Sequence, residues 1–189
     1  LVVKGHEGVL FRLQQKTSGK ESCSLADDER EMQFDKLMEA YQNDILRLCY
    51  GMLNNMTDAE DALQDTFVKV WKSMHRYQGK NSSSVYTWIY RIAINTCKDY
   101  LRLRYFKRKK DTVTDDSIAN DENYADMNYQ YYELWMDIAR LPENNKVVLL
   151  LYHYHHMSIT NIARILRISQ PAVSKRLHKA YMLLKEGNA

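Results

Sequence analysis

At 189 residues, with 45% apolar and 27% charged side chains, the chain is long enough for two small cores and too apolar to be disordered. Six Gly and two Pro are too few for the many turns of a strand-rich protein, so an all-α fold is expected. The net charge of +3 says little alone; the basic residues cluster in two places and the acidic ones in a third. Cys23, Cys49 and Cys97 are far apart and lack C-x-x-C spacing, which argues against a disulfide framework or a zinc site. No apolar run approaches the ~20 residues of a membrane span. The amino end also lacks a secretory layout, so a cytoplasmic protein without membrane insertion is expected.

Residues 1–31 show no sustained period and are expected to form a disordered or artefactual extension, with Met32 as the native start; a natural flexible extension is the alternative. From Phe34, the residues Leu37, Met38, Tyr41, Ile45, Leu48 and Met52 recur at helical spacing and predict a long amphipathic helix. Thr57-Asp58-Ala59-Glu60 has the form of a capping box, so a second helix should start there and bury Leu63, Phe67, Val70 and Trp71. Residues 77–84 form a polar loop ending in an N-cap serine. A third helix follows with Val85, Trp88, Ile89, Ile92, Ala93, Thr96 and Tyr100 inward, and it ends in the basic run 102–110.

The first domain is thus placed at 32–110. Residues 111–128 hold six acidic residues and no Lys or Arg, the composition of a flexible acidic linker. The second domain, 129–189, is expected to contain four helices. The first runs from 129 to 140, and Leu141-Pro142 marks a break. The next runs to about 156, Ser158 caps a short helix, and Ser169 caps the last one through 185.

The final two helices, joined by a three- or four-residue turn, have the form of a helix-turn-helix, whose second helix enters the major groove of duplex DNA. Its exposed set is Gln170, Ser174, Lys175, His178 and Lys179, with Arg176 on the flank. On the third helix, Arg91, Asn95, Lys98, Asp99 and Arg102 share one stripe, a pattern suited to melted or single-stranded DNA. On the second, Asp58, Asp61, Gln64 and Asp65 form an acidic edge that would repel phosphate and fits a basic protein surface. Each pattern in isolation is also that of a solvated helix face. His153, His155 and His156 lack the shared face and accompanying carboxylates of a metal site, so solvated or stacking roles are expected. No phosphate loop, nucleophile elbow or catalytic carboxylate pair occurs, so no catalytic residue, metal or cofactor is expected.

Asp58-Ala59-Glu60-Asp61, with Gln64, Phe67 and Trp71, resembles the D-A-E-D-x-x-Q-x-x-F-x-x-x-W run of extracytoplasmic-function (ECF) sigma factors. Thr87-Trp88-Ile89-Tyr90-Arg91-Ile92-Ala93, with Asn95, Asp99 and Arg102, resembles their T-W-L-Y-R-I-A-x-N…D-x-x-R segment, and residues 141–185 resemble their carboxy-terminal domain. The resemblance implies a promoter-recognising subunit that is not an enzyme. Asp58, Asp61, Gln64 and Asp65 would dock on the clamp helices of the largest subunit of core RNA polymerase. Asn81, Ser82, Ser83, Trp88, Arg91, Asn95, Asp99 and Arg102 would hold the −10 non-template strand, with Asp99 making a specific base contact. Gln170, Ser174, Lys175, Arg176, His178 and Lys179 would read the −35 duplex. An anti-sigma factor is a further implied partner. Arg167 stands where the family often has Gly, and Pro171-Ala172 where it often has Gly-Thr. The competing readings are a free-standing helix-turn-helix regulator and a protein-binding helical adaptor.

Overall fold

The computed structural model describes residues 25–77, 84–110 and 129–187, and among these there is no strand. Helices α1 (Leu25–Leu53), α2 (Met56–Ser73) and α3 (Val85–Lys110) form the amino-terminal body, with a 3₁₀ turn at Met74–Arg76 after α2. Helices α4 (Tyr129–Arg140), α5 (Glu143–Leu149), α6 (Ile159–Leu166) and α7 (Gln170–Gly187) form the carboxy-terminal body. After α5 the chain continues as a wider π turn over Leu150–Tyr154. The expected linker at 111–128 lies outside the described residues.

The amino-terminal core is built from the apolar stripes read in the sequence. Phe34, Ile45, Leu48, Phe67, Val70 and Ile89 are buried, and Phe34 meets Phe67 and Trp71 edge-on. Two boundaries differ from expectation. Helix α1 starts at Leu25, ahead of Met32, so residues 25–31 are helical and do not belong to a disordered extension. Arg30 holds this turn: its guanidinium lies 4.3 Å over the Trp71 ring and donates to the Trp71 carbonyl at 2.8 Å. A cation–π contact leaves no apolar period, which is why the sequence pattern starts late.

The second difference is the cap of α2. Its N-cap is Asn55, whose side chain accepts the Asp58 backbone N–H at 2.8 Å, and Thr57 lies exposed inside the first turn. Asn54 takes the left-handed φ of 52° that ends α1, and Asn55 follows in extended backbone ready to cap. Asn tolerates the first conformation and ranks among the best residues for the second. The N-cap expected for α3 is in place: Ser84 Oγ accepts the Thr87 N–H at 3.4 Å.

In the carboxy-terminal body, Pro142 stops α4 and its carbonyl accepts the N–H groups of Asn145 and Lys146 as α5 begins. Lys146 is buried and donates Nζ to the Ala139 carbonyl at 2.5 Å, closing the end of α4; burial lowers its pKa to about 8. Ser158 caps α6 by accepting the Asn161 N–H at 3.2 Å, and Ser169 caps α7 by accepting that of Ala172 at 3.3 Å. Between them Arg167 ends α6 in the left-handed region, φ 55° and ψ 45°, where Gly costs least. Buried Ile162, Ile165, Val173, Leu177 and Ala180 hold α6 and α7 in the expected helix-turn-helix.

The two bodies touch. Trp135 of α4 stacks on Tyr50 of α1 with centroids 5.8 Å apart, and its Nε1 donates to Asn54 Oδ1 at 3.1 Å. Tyr90 of α3 is buried against His155, its hydroxyl 3.2 Å from Nδ1. Helix α3 is therefore covered on two sides, which accounts for a buried Tyr90 outside the single inward stripe read from the sequence.

Candidate nucleic-acid and partner interfaces

The acidic edge of α2 is partly spent on the fold. Arg104, from the end of α3, donates Nε to Asp58 Oδ2 at 2.7 Å, adds an Nη2 bond to the same oxygen, and gives Nη1 to the Leu53 carbonyl at 2.7 Å. Asp65 accepts the Tyr100 hydroxyl at 2.9 Å. Burial, and then this bond and the acidic neighbours, push the Tyr100 phenol well above its ordinary range. Gln64 and Asp65 are half-buried, while Asp61 is exposed and free of ion pairs among the described residues. The carboxylates do share one side of α2, but they differ in availability: Asp61 is the exposed charge, and Asp58 is neutralised in place.

The α3 stripe divides likewise. Asn95 and Arg102 face solvent. Arg91 turns to the carboxy-terminal body and donates Nη2 to the Arg164 carbonyl at 2.7 Å and Nε to that of Ile165 at 3.1 Å. Burial lowers its pKa, and the nearby Arg167 lowers it further. Lys98 pairs with Glu143 at 3.3 Å. Asp99 is held between Lys69 and Arg102, each at 3.4 Å. An acid within a basic stripe is thus explained by two cations it anchors, and the base contact expected for it is not needed to account for it.

Lys69 was missed by sequence reasoning. It lies on α2 yet reaches Thr96 at 3.0 Å as well as Asp99, adding a cation to the α3 face from a neighbouring helix. No local spacing signals a contact across two helices. Trp88 is half-buried and stacks on Tyr77, centroids 4.8 Å apart. Asn81, Ser82 and Ser83 lie outside the described residues.

On α7, Gln170, Ser174, Lys175, His178 and Lys179 are all exposed along one side, with Arg176 half-buried on the flank. The Arg176 carbonyl accepts Asn145 Nδ2 at 2.9 Å, which fixes α7 on α5. The histidines find aromatic partners: His153 meets the Tyr181 hydroxyl and His155 meets Tyr90. Among the described residues no cluster of His, Cys, Asp or Glu could hold a metal, and no helix is long and apolar enough to cross a membrane.

Residues 37–105 match the family described as sigma-70 region 2, and residues 133–184 match sigma-70, region 4. The ECF RNA polymerase sigma factor SigW of Bacillus subtilis is 27% identical over 173 residues, covering 81% of this chain and 87% of that protein. The RNA polymerase sigma-H factor of Pseudomonas aeruginosa is 28% identical over 159 residues, covering 78% and 81%. Among solved structures, the sigma factor RpoE in complex with the anti-sigma factor NepR from Bartonella quintana superposes with a TM-score of 0.68 at 19% identity, over 82% of this chain and 96% of that one. CnrH in complex with the cytosolic domain of CnrY gives 0.63 at 19%, over 92% of each chain. The two matched regions fall on the two helical bodies, in chain order. This chain belongs to the ECF sigma factors, which recognise promoters and initiate transcription with RNA polymerase.

Proposed function

We propose that the three charged surfaces divide the work of a sigma factor among themselves. The α2 edge, led by Asp61 with Gln64 and Asp65 beside it and Asp58 behind, docks on the clamp helices of the largest polymerase subunit. The α3 face, with Asn95 and Arg102 and the Trp88–Tyr77 stack, holds the melted −10 strand together with Asn81, Ser82, Ser83, Arg91 and the Lys69–Asp99 pair. Helix α7 reads the −35 duplex through Gln170, Ser174, Lys175, Arg176, His178 and Lys179. In this reading residues 32–110 and 129–189 work as separate domains tethered by 111–128, in the cytoplasm, with an anti-sigma factor as the opposing partner. The chain itself catalyses nothing; the polymerase supplies the chemistry.

The observation that carries the reading is the separation of charge: exposed carboxylate on one helix, exposed cations and amides on two others. Anionic DNA and a basic protein surface cannot share one face without repulsion, so two partners of opposite sign call for two faces. The test is reconstitution of the full chain with bacterial core polymerase, followed by selection of promoters from a random DNA library. Enrichment of templates with two conserved boxes is the expected result. Holoenzyme that forms but enriches no sequence contradicts the promoter assignments.

A further inference from the structure

Helix α6 ends against α3 in a cluster of positive charge. Arg91 of α3 donates Nη2 to the Arg164 carbonyl and Nε to that of Ile165, which sets its guanidinium at the last turn of α6. Arg167 follows in the turn, and the side chains of Arg164 and Arg167 are both exposed. Burial lowers the Arg91 pKa first and Arg167 lowers it further, with no carboxylate near enough to oppose either. None of these three arginines has an ion pair among the described residues, whereas Lys69, Lys98, Arg102 and Arg104 each have one. Arg167 is also held at φ 55° and ψ 45°, where only glycine is unstrained. Backbone strain, a desolvated guanidinium and unbalanced charge thus fall in one place, and strain kept by a non-glycine residue points to a role for its side chain.

We propose that Arg91, Arg164 and Arg167 form a binding site for a compact phosphorylated anion, of the size and charge of a pyrophosphate group, between α3 and the end of α6. Arg91 spends Nε and Nη2 on the two carbonyls, which fixes the plane of its guanidinium and leaves Nη1 to donate. Arg167 brings a whole guanidinium from the turn, and Arg164, three residues earlier, adds a third cation. Guanidinium groups match phosphate oxygens with paired N–H donors, and such charge-assisted bonds are about twice as strong as neutral ones. An anion carrying several charges also replaces the repulsion between Arg91 and Arg167 with a shared attraction. Arg91 is half-buried against the end of α6, so a small ligand reaches it more readily than a duplex backbone does. The site uses no residue of α7 and is separate from the surface proposed for the −35 duplex; only Arg91 is shared with the −10 strand. It rests on charge and packing alone, independently of the sigma-factor reading.

The test is calorimetric titration of inorganic pyrophosphate into the full chain, in about 0.15 M chloride so that loose ion attraction is screened. Wild type is expected to bind saturably at a single site, with a Kd of about 0.1 mM or tighter. Arg167→Gly should weaken binding about tenfold or more, and Arg164→Ala by a smaller factor. Lys185→Ala, which removes an exposed cation elsewhere, should bind as wild type does. No saturable heat with wild type, or equal losses in Arg167→Gly and Lys185→Ala, overturns the site. Should Arg167→Gly fail to fold, Arg167→Gln removes the charge alone and gives the same reading. A duplex oligonucleotide without promoter sequence separates a free anion from a DNA backbone: Arg167→Gly should keep its duplex affinity within about twofold of wild type. A loss of about tenfold there, without pyrophosphate binding by wild type, assigns Arg167 to the DNA backbone and overturns the proposal.

Discussion

Replacing Arg104 with Ala removes a guanidinium that ties the end of α3 to the start of α2 and to the end of α1. The side chains of Arg104 and Asp58 are 28% and 31% exposed, so water only partly replaces the lost partner. A hydrogen bond to a charged group whose partner is stranded costs about 1.5–3 kcal/mol; partial exposure places this one near the lower end, at about 2 kcal/mol. For a chain of this size that is a fall in Tm of roughly 4–8 °C. Arg104→Lys should recover only part of it, because an ammonium keeps the charge but cannot reach the carboxylate and the Leu53 carbonyl together. Thermal unfolding followed by circular dichroism measures both. A double-mutant cycle with Asp58→Ala should show coupling of about 1 kcal/mol. An Arg104→Ala protein that melts within about 1 °C of wild type refutes the reasoning.

Other expectations follow from single features. Arg167→Gly, at a left-handed residue, should stabilise the chain by up to ~1 kcal/mol, read as a rise in Tm; an unchanged or lower Tm contradicts it. Asn55→Ala should cost about 1 kcal/mol and Thr57→Ala under about 0.5, since the cap lies at the first position and not the second; the reverse order in urea denaturation would restore the capping box. His155 gives the stability of the fold a pH dependence. Burial lowers its pKa from 6.5 to about 4, with Asp44 opposing that shift and Arg47 and His156 adding to it; the Tyr90 hydroxyl bonds its Nδ1. The unfolded chain therefore takes up a proton that the folded one refuses, so this contribution to stability is full above pH 6.5 and is lost as pH falls toward 4. By pH 5 the loss is about 1–2 kcal/mol, and Tm should fall between pH 7 and 5 by more in wild type than in His155→Phe; an equal fall contradicts the linkage.

The helices were legible because their signals are local. The apolar stripe from Phe34, the break at Leu141-Pro142 and the serines at 84, 158 and 169 all act within one or two turns, and each has its expected structural role. The exposed polar and basic set of α7 was legible for the same reason: it is one exposed side of one helix. What was not legible depends on residues far apart in the chain. Arg104 takes Asp58 across 46 positions, Lys69 reaches Asp99 across 30, and Arg91 reaches Ile165 across 74. A sequence pattern shows which face of a helix is charged, but not whether that charge is already paired. Gly51 belongs to the same class, an isolated helix glycine with the terminal methyls of Leu150, from the other body, packed close against it.

The separation of surfaces is tested most directly by following polymerase association and strand opening side by side for two variants of the full chain. Asp61→Lys changes an exposed charge with no described partner in the fold, whereas Asp65 also holds Tyr100, which makes Asp61 the cleaner probe. Asp61→Lys should lose polymerase association in a native gel. Asn95→Ala with Arg102→Ala should keep association and lose permanganate-detected opening of a selected promoter. If Asp61→Lys joins polymerase as wild type does, or if the α3 pair opens DNA normally, the division of labour among these helices is wrong.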